Sequence, residues 1–128
     1  MSLQRDFPTT TTKKTYCIFS TQRSGSTLLS RSLYDTGVAG DPIEYFNPPI
    51  WALGCQHFQN TKMNMFEFVE KMKLRRTSPN GVFGIKTHFS QLLLAGQSKQ
   101  INEKIVNFIE NINFFIRMRR KNKISQAV

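Results

Sequence analysis

Five consecutive residues, Arg23-Ser24-Gly25-Ser26-Thr27, put a permanent cation, three hydroxyls and one glycine into a short loop. That combination suits an anion. The loop follows an apolar run, "YCIFS" (16–20), and opens into a second apolar run at Leu28 and Leu29. A loop entering a helix exposes unbonded N–H groups at the positive end of the helix dipole, and phosphate binds there. Gly25 lets the backbone come close to the anion. Ser24, Ser26 and Thr27 add hydroxyl donors, and Arg23 adds a forked cation. A helix cap beside a surface arginine fits the same spacing equally well. The loop is not a Walker A sequence, because Ser26 follows the glycine where that motif has lysine. A magnesium-dependent ATPase or kinase is therefore disfavoured.

A second signal is charge. The 128 residues carry 18 Lys and Arg against 8 Asp and Glu, a formal net charge of +10. The surplus is partly local. Arg117, Arg119, Arg120, Lys121 and Lys123 fall within seven positions, and no acid follows Glu110. A local surplus of this kind points to an anionic ligand or partner. Cys55 and His57 offer two metal ligands, but no second pair at closing spacing accompanies them, so no metal is expected. Two cysteines make no disulfide framework, and Cys17, inside an apolar run, reads as core. The N-terminus has no apolar signal core, and no apolar run approaches the ~18 residues that span a bilayer. These features predict a cytoplasmic protein without membrane attachment.

The elements that would position this chemistry alternate. Residues 16–20 read as a buried strand. Residues 26–36 read as a helix carrying Leu28, Leu29 and Leu33, ended by Gly37. Residues 37–49, with two Gly and three Pro, read as a loop. From about 63 to 76, Met65, Phe68, Val69 and Met72 share a helical face, with Lys71, Lys73, Arg75 and Arg76 mostly off it. "SPNG" (78–81) is a turn and "VFGIK" (82–86) a second strand. Ile101, Ile105, Phe108, Ile109 and Ile112 mark another helix, and "NFFIRM" (113–118) a third strand before the basic segment. Residues 1–14 read as a flexible polar arm and 15–128 as one domain. Such alternation predicts an α/β fold with a parallel sheet flanked by helices. In such sheets ligands sit beyond the carboxyl ends of the strands, where the 23–27 loop lies.

Four blocks in order, "STQRSGSTLL", "TGVAGDPIEYF", "NGVFGIK" and "RRKNKISQAV", resemble the sulfotransferases, in particular the bacterial carbohydrate type whose known member sulfates trehalose. The resemblance implies a P-loop-like sulfotransferase fold. It also implies transfer of a sulfuryl group from 3′-phosphoadenosine 5′-phosphosulfate (PAPS) to an acceptor hydroxyl, without a metal. By that resemblance Arg23, Ser24, Gly25, Ser26 and Thr27 hold the 5′-phosphosulfate, and Arg23 stabilises charge on the bridging oxygen as the S–O bond breaks. Arg120 and Ser125 match the 3′-phosphate site. Asn122, where the family often has Asp, and the added charge of Lys121 depart from the pattern. The "GDPIEYF" loop corresponds to the acceptor site. Glu44 matches the catalytic carboxylate, Asp41 a sugar-binding acid, and Gln22 joins them on the acceptor side. A carboxylate desolvated by Tyr45, Phe46 and Pro48 suits a base that takes a hydroxyl proton. "KTH" (86–88) resembles a different branch, the cytosolic sulfotransferases of phenols and steroids. There the histidine is the base and the lysine assists the leaving group. That makes His88 a competing base and Lys86 its companion, with Glu44 ranked first.

The resemblance covers the N-terminal half of a longer fold. It predicts an incomplete sheet and weak or no turnover by these 128 residues alone. Measurable sulfate transfer by them would contradict that. The expected partner is a carbohydrate or other small hydroxyl acceptor, and an exposed unfinished core could self-associate as a homodimer. The alternative is a basic nucleic-acid-binding or nucleotide-binding protein without catalysis. It is disfavoured because the basic residues are not interleaved with aromatics and match no recognition module.

Overall fold

The computed structural model describes residues 6–20, 25–88 and 99–118. Within them the order is β1 (Lys14–Ser20), α1 (Ser26–Asp35), α2 (Pro48–His57), α3 (Met65–Arg76), β2 (Val82–Thr87), α4 (Lys99–Glu110) and β3 (Phe114–Met118). The strands form one parallel sheet in the order β2-β1-β3. Register runs from Lys14 opposite Val82 to Phe19 opposite Thr87 on one side. On the other it runs from Tyr16 opposite Phe114 to Ser20 opposite Met118. Ser20, Thr87 and Met118 therefore sit together at the carboxyl end of the sheet. The predicted α/β architecture is the observed one: a parallel sheet flanked by helices.

The centre is built from β1 and β2, whose inner residues are almost all buried, as expected for strands covered on both faces. Tyr16 shows how tight this is. Its ring stacks on Phe114 with centroids 5.5 Å apart, and its hydroxyl donates to the Ala39 carbonyl at 2.6 Å. Gly84 faces it across the ladder, and a β-carbon there would lie 2.3 Å from the ring. Glycine at 84 is thus required by the ring. Phe68, Val69 and Met72 of α3 pack with Tyr45, Phe46, Phe83 and Ile85, and the Asn64 side chain caps α3 by accepting from the Glu67 N–H at 2.9 Å.

Three findings differ from the sequence reading. Residues 48–57 form a helix that periodicity did not reveal. Its Pro48-Pro49 start is tolerated because first-turn N–H groups have no intrahelical partner. It is anchored by the Trp51 indole N–H, which donates to the Met63 carbonyl at 2.8 Å. The polar segment before β1 is bonded from residue 6 onward: the Phe7 N–H donates to the Arg75 carbonyl at 2.8 Å, and the Phe7 ring lies 5.8 Å from Tyr34. Arg76 is on the buried side of α3, one turn beyond Met72, with 1% exposure. A charge is tolerated there because two carboxylates meet it, Asp6 at Nε (2.7 Å) and Asp41 at the opposite end of the guanidinium.

Candidate active site

The described part of the turn into α1 begins at Gly25. Gly25 adopts φ 85°, a left-handed conformation that side-chain-bearing residues rarely take, and serves as N-cap of α1. Among the described residues no side chain caps that helix end, which leaves first-turn N–H groups for a ligand. Ser26 is buried and Thr27 exposed. Lys86, at the end of β2 and only 6% exposed, donates from Nζ to Thr27 Oγ1 at 3.4 Å. An uncapped helix start, a glycine turn and an enclosed ammonium thus converge, the donor set a phosphate or phosphosulfate needs.

Beside this corner is an open cleft of about 380 Å³. Thr27, Ser30 and Arg31 of α1 form one wall, with Glu44, Lys86 and Leu53 facing them. The segment carrying Glu44 is stitched to the outer edge of β2. Ile43 bridges to Ile85 in parallel, and the Lys86 N–H donates to the Ile43 carbonyl at 3.0 Å. The Tyr45 hydroxyl donates to the Asp41 carbonyl at 2.6 Å. Glu44 thereby stands at the level of the β2 end. There its Oε1 lies 2.7 Å from His88 Nε2. The other ring nitrogen, Nδ1, lies 2.7 Å from the Ser20 carbonyl oxygen and 3.3 Å from Ser20 Oγ.

Of the residues singled out in the sequence, Gly25, Ser26, Thr27, Lys86, Glu44 and His88 gather around this corner and cleft. The two competing bases, Glu44 and His88, are in contact. Asp41 is placed differently from a surface sugar ligand. Its exposure is 0%, and its carboxylate meets Arg76 inside the protein. Gln22, Arg23, Ser24, Arg120 and Ser125 lie outside the described residues. Two participants were missed. Ser20 contributes a backbone carbonyl, for which side-chain patterns carry no signal. Arg76 also lines the cleft, and its i+4 spacing from Met72 was the available clue. Among the described residues no group of three or more His, Cys, Asp or Glu side chains could hold a metal, and no helix is long and apolar enough to cross a membrane.

A three-stranded parallel sheet flanked by helices, with a glycine at the start of the helix after its first strand, makes this an α/β protein. Residues 15–128 match the family model described as Stf0 sulphotransferase, and the chain belongs to that family. It is similar to the trehalose 2-sulfotransferase of Mycobacterium tuberculosis (strain ATCC 35801 / TMC 107 / Erdman), 30% identical over 146 aligned positions that cover 88% of this chain and 54% of that protein. It is also similar to the trehalose 2-sulfotransferase of Mycolicibacterium smegmatis (strain ATCC 700084 / mc(2)155), 47% identical over 49 residues, 38% of this chain and 15% of that protein. The chain thus spans about half the length of the Mycobacterium tuberculosis relative.

Proposed function

We propose that this chain carries the donor-binding corner and the catalytic base of a PAPS-dependent sulfotransferase acting on a carbohydrate hydroxyl. The observation that supports this most is the placement of Glu44 in the same cleft as Thr27 at the start of α1, with Lys86 linking the two. The residues fit the donor. The amides of the Gly25–Leu28 turn, Thr27 Oγ1 and Lys86 would hold the 5′-phosphosulfate together with Arg23 and Ser24. Arg120 and Ser125 would hold the 3′-phosphate. When bound, PAPS supplies an activated sulfuryl group.

The remaining chemistry belongs to this chain. Glu44 accepts the proton of the acceptor hydroxyl. The acceptor oxygen forms its bond to sulfur as the bond from sulfur to the bridging phosphate oxygen breaks. That electron pair leaves on the phosphate, as adenosine 3′,5′-bisphosphate. Lys86 and Arg23 stabilise the charge that grows there. Glu44 can accept from sugar hydroxyls, while Ile50 and Leu53 offer apolar surface to the carbons of a sugar ring. The relatives are trehalose 2-sulfotransferases, so trehalose is the first acceptor to try.

Calorimetry with adenosine 3′,5′-bisphosphate tests the donor half of this proposal. One saturable site is expected, weakened ~10-fold or more in Arg23→Ala, the scale of a lost charge-assisted hydrogen bond. A folded protein that takes up no bisphosphate would overturn it.

A further inference from the structure

We propose that His88 is a positioning residue that clamps the base Glu44 to the end of β1, and is not the base itself; this rests on the sulfuryl-transfer reading above. The argument is one of donors and acceptors. A backbone carbonyl can only accept, so the 2.7 Å contact with the Ser20 oxygen requires a proton on His88 Nδ1. With Nδ1 carrying that proton, Nε2 of a neutral ring would be an acceptor. It faces Glu44 Oε1 at 2.7 Å, and a carboxylate is an acceptor too. A second proton must therefore lie between them, giving a charge-assisted bond.

The consequence is a division of labour. An imidazole nitrogen bonds along one direction in the ring plane, and Nε2 is directed at Glu44. A substrate hydroxyl could reach Nε2 only by displacing Glu44. A carboxylate has two oxygens and about four lone-pair sites, so Glu44 can be held by His88 and still face a substrate. Glu44 lines the cleft. His88 ties together the last residue of β1, the residue after β2 and the acceptor-side loop. The lysine-threonine-histidine block is thus used in this chain to aim a carboxylate.

The test is nitrogen-15 NMR of the histidine side chains in the 128-residue chain at neutral pH. There are two histidines. His57 supplies an internal contrast. Its Nε2 lies 3.2 Å from Arg75 Nη1, a donor only, so that nitrogen must accept. We expect His88 to show protons on both nitrogens and His57 an unprotonated Nε2. In Glu44→Gln, His88 Nε2 shifts to the unprotonated position, Nδ1 keeps its proton, and His57 is unmoved. A wild-type His88 with bare Nδ1, or an Nε2 resonance indifferent to Glu44→Gln, would overturn the clamp. Calorimetry on His88→Asn and His88→Gln accompanies this. Asparagine reaches the Nδ1 position and can bond Ser20, whereas glutamine reaches the Nε2 position. The asparagine variant should bind adenosine 3′,5′-bisphosphate within ~3-fold of wild type, because the β1 end stays tied. If both variants lose the ligand, the tie to Ser20 is not what matters and the proposal fails. If wild type does not bind it while the NMR pattern holds, the sulfuryl-transfer reading falls and takes the clamp's catalytic meaning with it.

Discussion

Replacing Arg76 with methionine should cost far more stability than a typical surface arginine. The guanidinium side chain is 2% exposed and bonds two carboxylates, Asp41 at 0% and Asp6 at 19% exposure. Methionine fills similar length without charge. It leaves Asp41 in the interior without the cation that compensates it. Breaking a buried pair from one side costs ~3–5 kcal/mol. Asp6 adds less, because it is partly solvated and keeps Arg75 within 3.4 Å. Set against the ~5–15 kcal/mol of a typical domain, the change should move the midpoint of urea unfolding sharply downward. Trp51, the single tryptophan, packs beside the core and reports the transition by fluorescence. The control is Arg76→Met with Asp41→Asn. Removing the stranded charge should recover ~1–3 kcal/mol of the loss, a coupling that independent sites would not show. A single-variant cost below ~1 kcal/mol, or a double variant as unstable as the sum of both singles, would refute the reasoning.

Other outcomes follow from particular contacts. Gly84→Ala should destabilise by ~2 kcal/mol or more in urea unfolding, since its β-carbon would fall 2.3 Å from the Tyr16 ring and 2.4 Å from the hydroxyl that bonds Ala39. Ser30→Ala should raise stability by ~0.5–1.5 kcal/mol, because its buried hydroxyl has no partner among the described residues and alanine is the better helix former. Burial pushes the Cys17 thiol up from 9.0 to about 12. The folded state then holds a proton that the unfolded chain releases, so this contribution to stability is intact below pH 9 and is lost as pH rises towards 12. The slope is ~1.4 kcal/mol per pH unit in that window, and Cys17→Ala should remove it from urea curves taken at a series of pH values.

Much of the fold was legible because its signals are local. β1 and β2 are short apolar runs bounded by turn residues. The Met65–Met72 stripe repeats at helical spacing, and its Phe68, Val69 and Met72 are buried; the parallel arrangement follows from the alternation of elements. The turn into α1 was legible for the same reason, since a glycine between an apolar run and a helical stripe marks such a turn; whether it binds an anion or only caps the helix was left open by the spacing. What escaped depends on distant partners. Helix α2 is apolar nearly all round and begins with two prolines, so it shows no stripe. Arg76 looked solvated until Asp6, 70 positions away in sequence, and Asp41 were seen to meet it. Asp41 and Glu44 are three residues apart and looked alike on paper. The short bridge to Ile85 turns one inward to Arg76 and the other out to the cleft. The relation between Glu44 and His88 was hidden because 44 positions separate them, and the third member, Ser20, acts through its backbone.

The central claim is that the turn at Gly25 and the end of β2 form the donor site. Amide NMR of the folded chain during titration with adenosine 3′,5′-bisphosphate tests it most directly. The account predicts saturable shifts that are largest at the Gly25–Leu28 amides and at Lys86, with smaller ones at Glu44 and His88. Saturable shifts centred elsewhere, or a spectrum that bisphosphate leaves unchanged, would contradict it.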